Sequence, residues 1–132
     1  MYLNKETNAS YNFVAPNISE DENKKVEVAF PTSEKKDVTL SANKAEVDIK
    51  RNITIVDLGS DALTTAAVVT LIPDSQLPIG AKVYVKWTNG TAAVGVNVKK
   101  DSSAAAVNLP GAAASTVTRE LLWTGTDWLL VG

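Results

Sequence analysis

The stretch KVYVKWT, residues 82–88, alternates strictly between apolar and polar side chains. In an extended chain Val83, Val85 and Trp87 lie on one face, and the lysines and Tyr84 lie on the other. An apolar period of two residues is typical of a β-strand with one buried face. This stretch therefore predicts a strand and sets the fold class for the residues around it.

Hairpin signals follow this strand and recur at the end of the chain. Asn89-Gly90 is the strongest short turn signal for a hairpin, and residues 92–98 are the natural partner strand. Residues 116–123 lead through Thr124-Gly125-Thr126-Asp127 into residues 128–131, which predicts a second hairpin. Both predictions imply antiparallel neighbours.

The remaining strands are predicted from shorter patterns. Residues 26–30 and 45–50 alternate, and Ile53 and Ile55 continue the odd-numbered apolar face of residues 45–50. Residues 65–72 are apolar on both faces, which suits a buried strand. Arg51 interrupts the odd-numbered face, so a bend or bulge is expected there, and Lys35-Lys36 is expected in a solvated turn.

Eight to ten short strands at near-regular spacing predict an all-β protein. The sequence contains 16 Val and 13 Thr, residues that fit a pleated sheet better than a helix. We therefore expect an antiparallel β-sandwich or jelly-roll-like module over residues 26–132. Residues 1–25 are mostly polar and are expected to form an extended N-terminal arm.

The composition excludes several classes of chemistry. The 132 residues include no histidine and no cysteine, which rules out disulfides, Cys-based zinc sites and Ser-His-Asp catalysis. With 13 basic and 15 acidic residues the net charge is −2, which argues against a nucleic-acid partner. No apolar run is long enough to span a membrane. We expect a protein that is not an enzyme and that binds no cofactor, metal, nucleic acid or membrane.

Three segments resemble the β-rich modules of tailed-bacteriophage virion appendages, meaning head fibres, tail fibres and decoration proteins. They are Leu77-Pro78-Ile79-Gly80-Ala81-Lys82-Val83-Tyr84-Val85, then Asn89-Gly90, then the closing hairpin Leu121-Leu122-Trp123-Thr124-Gly125-Thr126-Asp127-Trp128-Leu129-Leu130-Val131-Gly132. The likeness covers about residues 65–132. It implies a β module that forms a homotrimer and a short N-terminal segment that attaches it to the particle.

The arm supplies the candidate attachment residues. The apolar side chains available there to dock on a capsid or tail protein of the same virion are Tyr2, Leu3, Tyr11, Phe13 and Val14. The N-terminus has no basic segment followed by an apolar one, so no secretory signal is expected. The resemblance then implies a protein made in the host cytoplasm and located in the virion.

A second hypothesis is a module that binds a host surface glycan or receptor. Trp123 and Trp128 flank one turn and could stack against a sugar ring. The competing interpretation is that both fill the core or a subunit interface, because the chain has only eight aromatic residues. Paired aspartates near turns could also suggest a glycosidase or a Ca²⁺ site, but turn chemistry explains them more simply.

Overall fold

The computed structural model describes residues 32–132, which form nine strands and no helix. The predicted arm, residues 1–25, and the predicted strand over residues 26–30 lie outside the described residues. The strands are β1 (Ser33–Asp37), β2 (Lys44–Ile49), β3 (Ile53–Asp57), β4 (Ala67–Pro73), β5 (Lys82–Thr88), β6 (Val96–Lys99), β7 (Val107–Leu109), β8 (Thr116–Trp123) and β9 (Trp128–Val131).

The strands form two mixed sheets. A five-stranded sheet has the order β9-β8-β5-β3-β1, and a four-stranded sheet has the order β2-β4-β6-β7. The pairs β1/β3, β3/β5, β2/β4 and β4/β6 are parallel, while β5/β8, β8/β9 and β6/β7 are antiparallel. The all-β prediction is confirmed, but the expected wholly antiparallel pairing is wrong. A jelly roll is not confirmed either, because its neighbouring strands are antiparallel.

The parallel pairs arise because the chain alternates between the two sheets from β1 to β6. Each time the chain returns to a sheet, the new strand lies beside the strand that came two before it in the sequence. Ser33 on β1 pairs with Ile53 on β3, 20 residues later, and Ile53 pairs with Lys82 on β5 after 29 more. Parallel neighbours need such a long crossover, since a tight turn cannot join them. The two spacings, 20 and 29 residues, differ, so the windings follow no fixed sequence repeat.

One hydrophobic cluster contains inward-facing side chains of both sheets. Trp87, Val83 and Val85 of β5 are fully buried, as are Val69 and Leu71 of β4. The alternation that predicted β5 is therefore confirmed. The buried strand predicted over residues 65–72 is also present, as β4.

The predicted Asn89-Gly90 hairpin is wrong, because β5 and β6 belong to different sheets. Asn89 is buried, and its backbone N–H donates to the Ser115 carbonyl at 2.8 Å. Its side-chain Oδ1 accepts a 3.0 Å hydrogen bond from Trp87 Nε1, and its Nδ2 donates to the Ala112 carbonyl at 2.9 Å. Asn89 thus satisfies a buried indole N–H instead of turning the chain.

Close packing extends from Trp87 to Gly111. A Cβ atom at Gly111 would lie 2.9 Å from both Trp87 Cζ2 and Val117 Cγ2. That distance is shorter than real Cβ contacts allow, so any larger residue would displace the indole. Glycine is required here by the close approach of the backbone.

The C-terminal hairpin prediction is confirmed. Trp123 of β8 pairs with Trp128 of β9, and the Thr124 N–H donates to the Asp127 carbonyl at 3.0 Å. Gly125 has a φ of 100°, which a glycine adopts without steric cost. Lys35 and Lys36, by contrast, lie in strand β1 and not in the expected turn.

Replacing Asn89 with alanine should destabilise the fold. The variant leaves the buried indole N–H of Trp87 without a partner, and an unsatisfied buried group costs about 1–3 kcal/mol. Urea denaturation monitored by circular dichroism measures the change. The control is Asn108→Ala, which removes an exposed amide–amide hydrogen bond to Asn97 and should change the free energy of unfolding by less than about 0.5 kcal/mol. Equal effects in the two variants would contradict the role assigned to Asn89.

Candidate interaction face

The five predicted attachment residues Tyr2, Leu3, Tyr11, Phe13 and Val14 lie outside the described residues. Their role in docking remains a prediction. The described residues do place the second predicted pair, Trp123 and Trp128.

Trp123 and Trp128 meet in the interior. Their ring centroids are 5.0 Å apart with planes tilted by 55°, a geometry that aromatic pairs favour. Their exposed fractions are 8% and 4%. Trp128 Nε1 also donates to the Leu71 carbonyl of the four-stranded sheet at 2.9 Å. Glycan binding by this pair stays a prediction, but the burial leaves little ring surface for a sugar.

The Leu71 carbonyl explains why Trp128 points inward. The ladder between β4 and β6 extends only from Ala67 to Thr70, so Leu71 lies one residue beyond it. The indole of Trp128 supplies a hydrogen bond at this position. It thereby joins the last strand of one sheet to the other sheet.

Three of the aspartates near turns, Asp74, Asp101 and Asp127, serve turns and ion pairs. Asp74 accepts a hydrogen bond from the Gln76 N–H at 3.0 Å, and Asp101 accepts bonds from the Ser103 N–H and hydroxyl, both at 2.9 Å. These bonds lower the pKa of Asp101. Asp127 pairs with Lys100 at 3.1 Å, and Asp61 is exposed. Within residues 32–132 no three acidic, histidine or cysteine side chains are grouped to hold a metal ion.

A groove of about 620 Å³ runs beside the edge strands β1 and β2. Its lining is rich in charged side chains: Glu34 lies 3.5 Å from the Lys36 ammonium and 3.7 Å from the guanidinium of nearby Arg51, and Lys44, Glu46 and Asp48 are exposed there. Charged side chains on an edge strand oppose uncontrolled pairing with another chain. We assign this groove a protective role at the sheet edge.

The outer face of the five-stranded sheet is the strongest candidate for a functional surface. We use "outer face" for the outward side chains of β1, β3, β5, β8 and β9. Four of its large apolar side chains are 39–52% exposed. These four are Ile53, Ile55, Leu129 and Val131.

Half-buried side chains connect the exposed apolar ones across the sheet. Tyr84 on β5 lies opposite Ile55 on β3, and Leu122 on β8 lies opposite Leu129 on β9. Ile79, in the turn before β5, is 76% exposed. Adjacent exposed apolar residues of this kind mark interaction surfaces more often than isolated ones do.

The charges on the outer face balance. Three lysines (Lys35, Lys82 and Lys86) face three acids (Asp37, Asp57 and Glu120). Lys82 lies 3.8 Å from Glu120, Lys86 lies 3.8 Å from Asp57, and Lys35 contacts both Asp37 and Asp57. The face therefore combines apolar surface with no net charge.

Asp57 is the most enclosed charge of this set, with a side chain that is 14% exposed. The Gly59 N–H donates to its Oδ1 at 2.9 Å. This hydrogen bond, together with the Lys86 and Lys35 ammonium groups, lowers the pKa of Asp57. The hydrogen bond to Asp37 in turn raises the pKa of Lys35. A groove of about 320 Å³ beside Asp57 has this one carboxylate in its lining, whereas glycoside hydrolysis typically uses two.

Ile53 and Ile55 lie on the face opposite to the one that their sequence pattern predicted. They were expected to continue the buried odd-numbered face of Val47 and Ile49, but both point outward, and Thr54 and Val56 point inward. The inward even-numbered series continues at Leu58, which is also buried. Val56 and Leu58 were the signal that could have revealed this switch.

No protein-family model matches the chain, and neither a curated protein nor a solved structure matches it.

Among the described residues there is no helix long and apolar enough to cross a membrane.

Replacing Thr54 with valine should stabilise the protein. Thr54 is fully buried and its hydroxyl has no hydrogen-bond partner. Removing an unsatisfied buried hydroxyl while keeping the shape should raise the free energy of unfolding by about 1 kcal/mol. Thr118→Val, on the outer face, is the control and should have little effect. If Thr54→Val were neutral or destabilising in urea denaturation, the inward position of Thr54 would be in doubt.

Asp57 should contribute an acid-sensitive part of the stability. Because its folded-state pKa lies below the unfolded value, its contribution is present above about pH 4 and is lost as the pH falls through the folded-state pKa. Asp57→Asn should therefore lower stability at pH 7 and make the decline of stability below about pH 4 shallower. Asp48→Asn, which makes the same charge change on the exposed edge strand β2, should retain the wild-type decline.

Proposed function

We propose that this chain is a non-enzymatic structural subunit of a tailed-bacteriophage virion, as a head fibre, capsid decoration or tail appendage. It works by association: the β module of residues 32–132 binds other subunits, and the N-terminal arm attaches it to a capsid or tail protein. The expected assembly is a homo-oligomer, with a trimer implied by the family resemblance. The location is the virion.

The observation that carries this proposal is the outer face of the five-stranded sheet. It combines exposed isoleucine, leucine and valine side chains with balanced charges. Asp74, Asp101 and Asp127, meanwhile, serve turns and ion pairs. A rigid module with an apolar side and structural carboxylates is suited to assembly. The confirmed hairpin between Trp123 and Trp128 agrees with the segment on which the resemblance rests.

The description of the module as a β-sandwich belongs to the same proposal. Its support is the shared core of the two sheets and the hydrogen bond from Trp128 of β9 to Leu71 of β4. Edge strands β9 and β7 also contact each other.

Mass spectrometry and immunogold microscopy of gradient-purified particles test the proposal. The particles come from the phage whose genome encodes this chain. We expect the protein in many copies at one position on the particle. Its absence from purified particles would refute the virion role.

Attachment is tested on particles that lack the protein, to which purified full-length chain is added. Alanine at Tyr2, Leu3, Tyr11, Phe13 and Val14 together should reduce binding at least about 10-fold, since apolar anchors carry most of the energy of a contact. The control carries alanine at the neighbouring polar positions Asn4, Thr7, Asn8, Ser10 and Asn12 and should bind as the wild type. Binding by the first variant at wild-type level would refute the arm as the attachment segment and leave the virion role standing.

A further inference from the structure

The outer face of the five-stranded sheet is complementary to itself in charge. Registers across the sheet place its outward residues in rows that run from β1 through β3 and β5 to β8. One row is Lys35, Ile55, Tyr84 and Glu120. The next row is Asp37, Asp57, Lys86 and Thr118. In the first row the outermost charges have opposite sign, with two apolar-bodied side chains between them.

Consider a second copy stacked face to face on the first, related to it by a two-fold axis that runs parallel to the strands and midway between β3 and β5. Each row of one copy then meets the same row of the other copy in reverse order. Lys35 of one copy then faces Glu120 of the second, and Asp57 faces Lys86. Ile55 faces Tyr84 between these charges. Because the contact is two-fold, each pairing occurs twice. Beside the axis lie the apolar pair of Ile55 with Tyr84 and the charged pair of Asp57 with Lys86, and Lys35 and Glu120 lie at the flanks.

Other simple stackings of the same face either bring like charges together or pair fewer opposite charges; an axis between β5 and β8, for example, faces Tyr84 with Glu120 and Lys86 with Thr118. An axis along β5 would place Lys86 against Lys86 and Lys82 against Lys82. An axis across the strands through the first row would place Lys35 against Lys35 and Glu120 against Glu120. Like charges held together in a contact cost several kcal/mol. Charge complementarity therefore selects the axis between β3 and β5.

We propose that two copies of this chain pair through the outer face about this axis, with Ile55 of each copy packed against Tyr84 of the other. The proposal deepens the self-association in the proposed function and rests on that part of it. By itself the contact gives a dimer. Combined with a three-fold contact elsewhere, it joins two trimers into a hexamer. The ion pairs that Asp57 and Lys86 make within each copy become a four-charge network across the contact.

Light scattering on the full-length protein, over a range of concentrations, measures the assembly. We expect a mass of two or six times the 14.0 kDa chain. Ile55→Glu should raise the dissociation constant at least about 10-fold, because the new carboxylate is desolvated at the apolar pair. Glutamate is tolerated in the folded chain because Ile55 is exposed beside Lys35. Ala105→Glu, which adds a carboxylate to the exposed loop before β7 of the other sheet, should leave the dissociation constant unchanged.

Cysteine cross-linking tests the geometry, since the chain has no native cysteine. An equal mixture of Ile55→Cys and Tyr84→Cys proteins should form a disulfide dimer upon mild oxidation, faster than either variant alone. Glu46→Cys, on β2 of the other sheet, should not form such a dimer. A monomer or a simple trimer in light scattering would overturn the proposal, as would equal cross-linking by all variants.

The two proposals fail separately. If Ile55→Glu stays monomeric but still appears on purified particles, the pairing is dispensable for the virion role. If wild-type protein pairs as described but is absent from particles, the face is confirmed and the virion role is not.

Discussion

The structure depends on the parallel pairing of β3 with β5 in the centre of the five-stranded sheet. Two parallel neighbours must start at the same end of a sheet, so the chain between them has to travel back. Here it travels back as β4, in the other sheet. The return segment that the β3–β5 pairing requires is therefore itself a strand of the four-stranded sheet. This also explains the shared core, because each winding supplies inward side chains such as Val56 and Leu71 to both of its walls.

The sequence predicted the elements better than it predicted their partners. Alternation over residues 82–88 and the turn at Gly125 are local signals, and both were read correctly. The partner of β5 depends on Ile53, 29 residues earlier, and no local pattern encodes that distance. Asn89-Gly90 has the residue types of a hairpin turn, but the Asn89 side chain is buried and accepts a hydrogen bond from the indole N–H of Trp87. The hydrogen bonds of the buried Asn89 side chain, to Trp87 and to the Ala112 carbonyl 23 residues away, thus outweighed a turn propensity.

The candidate face was missed for a related reason. Between Ile49 and Thr54 the inward series changes from odd-numbered to even-numbered residues, and a one-residue change reverses every side chain of a strand. β3 therefore shows Ile53 and Ile55 to solvent and buries Thr54, contrary to its hydropathy. An irregular segment at Arg51 was correctly predicted. The odd-numbered apolar face of residues 45–50 was nevertheless continued across it to Ile53 and Ile55. An apolar pattern predicts the buried face only if no second surface needs those residues.

The apolar and charged parts of the outer face have different physical roles. The ion pairs are largely solvent-exposed, so they add little to the stability of a single chain. Once water is excluded, the same charges discriminate strongly between orientations, while the gain in free energy comes from the apolar area. In this face Ile55 and Tyr84 supply the area, and Lys35 and Glu120 lie at its ends. The four-stranded sheet offers a contrast: its edge strand β2 exposes Lys44, Glu46 and Asp48, which favour solvent. The proposed pairing thus draws both its affinity and its register from one side of the molecule.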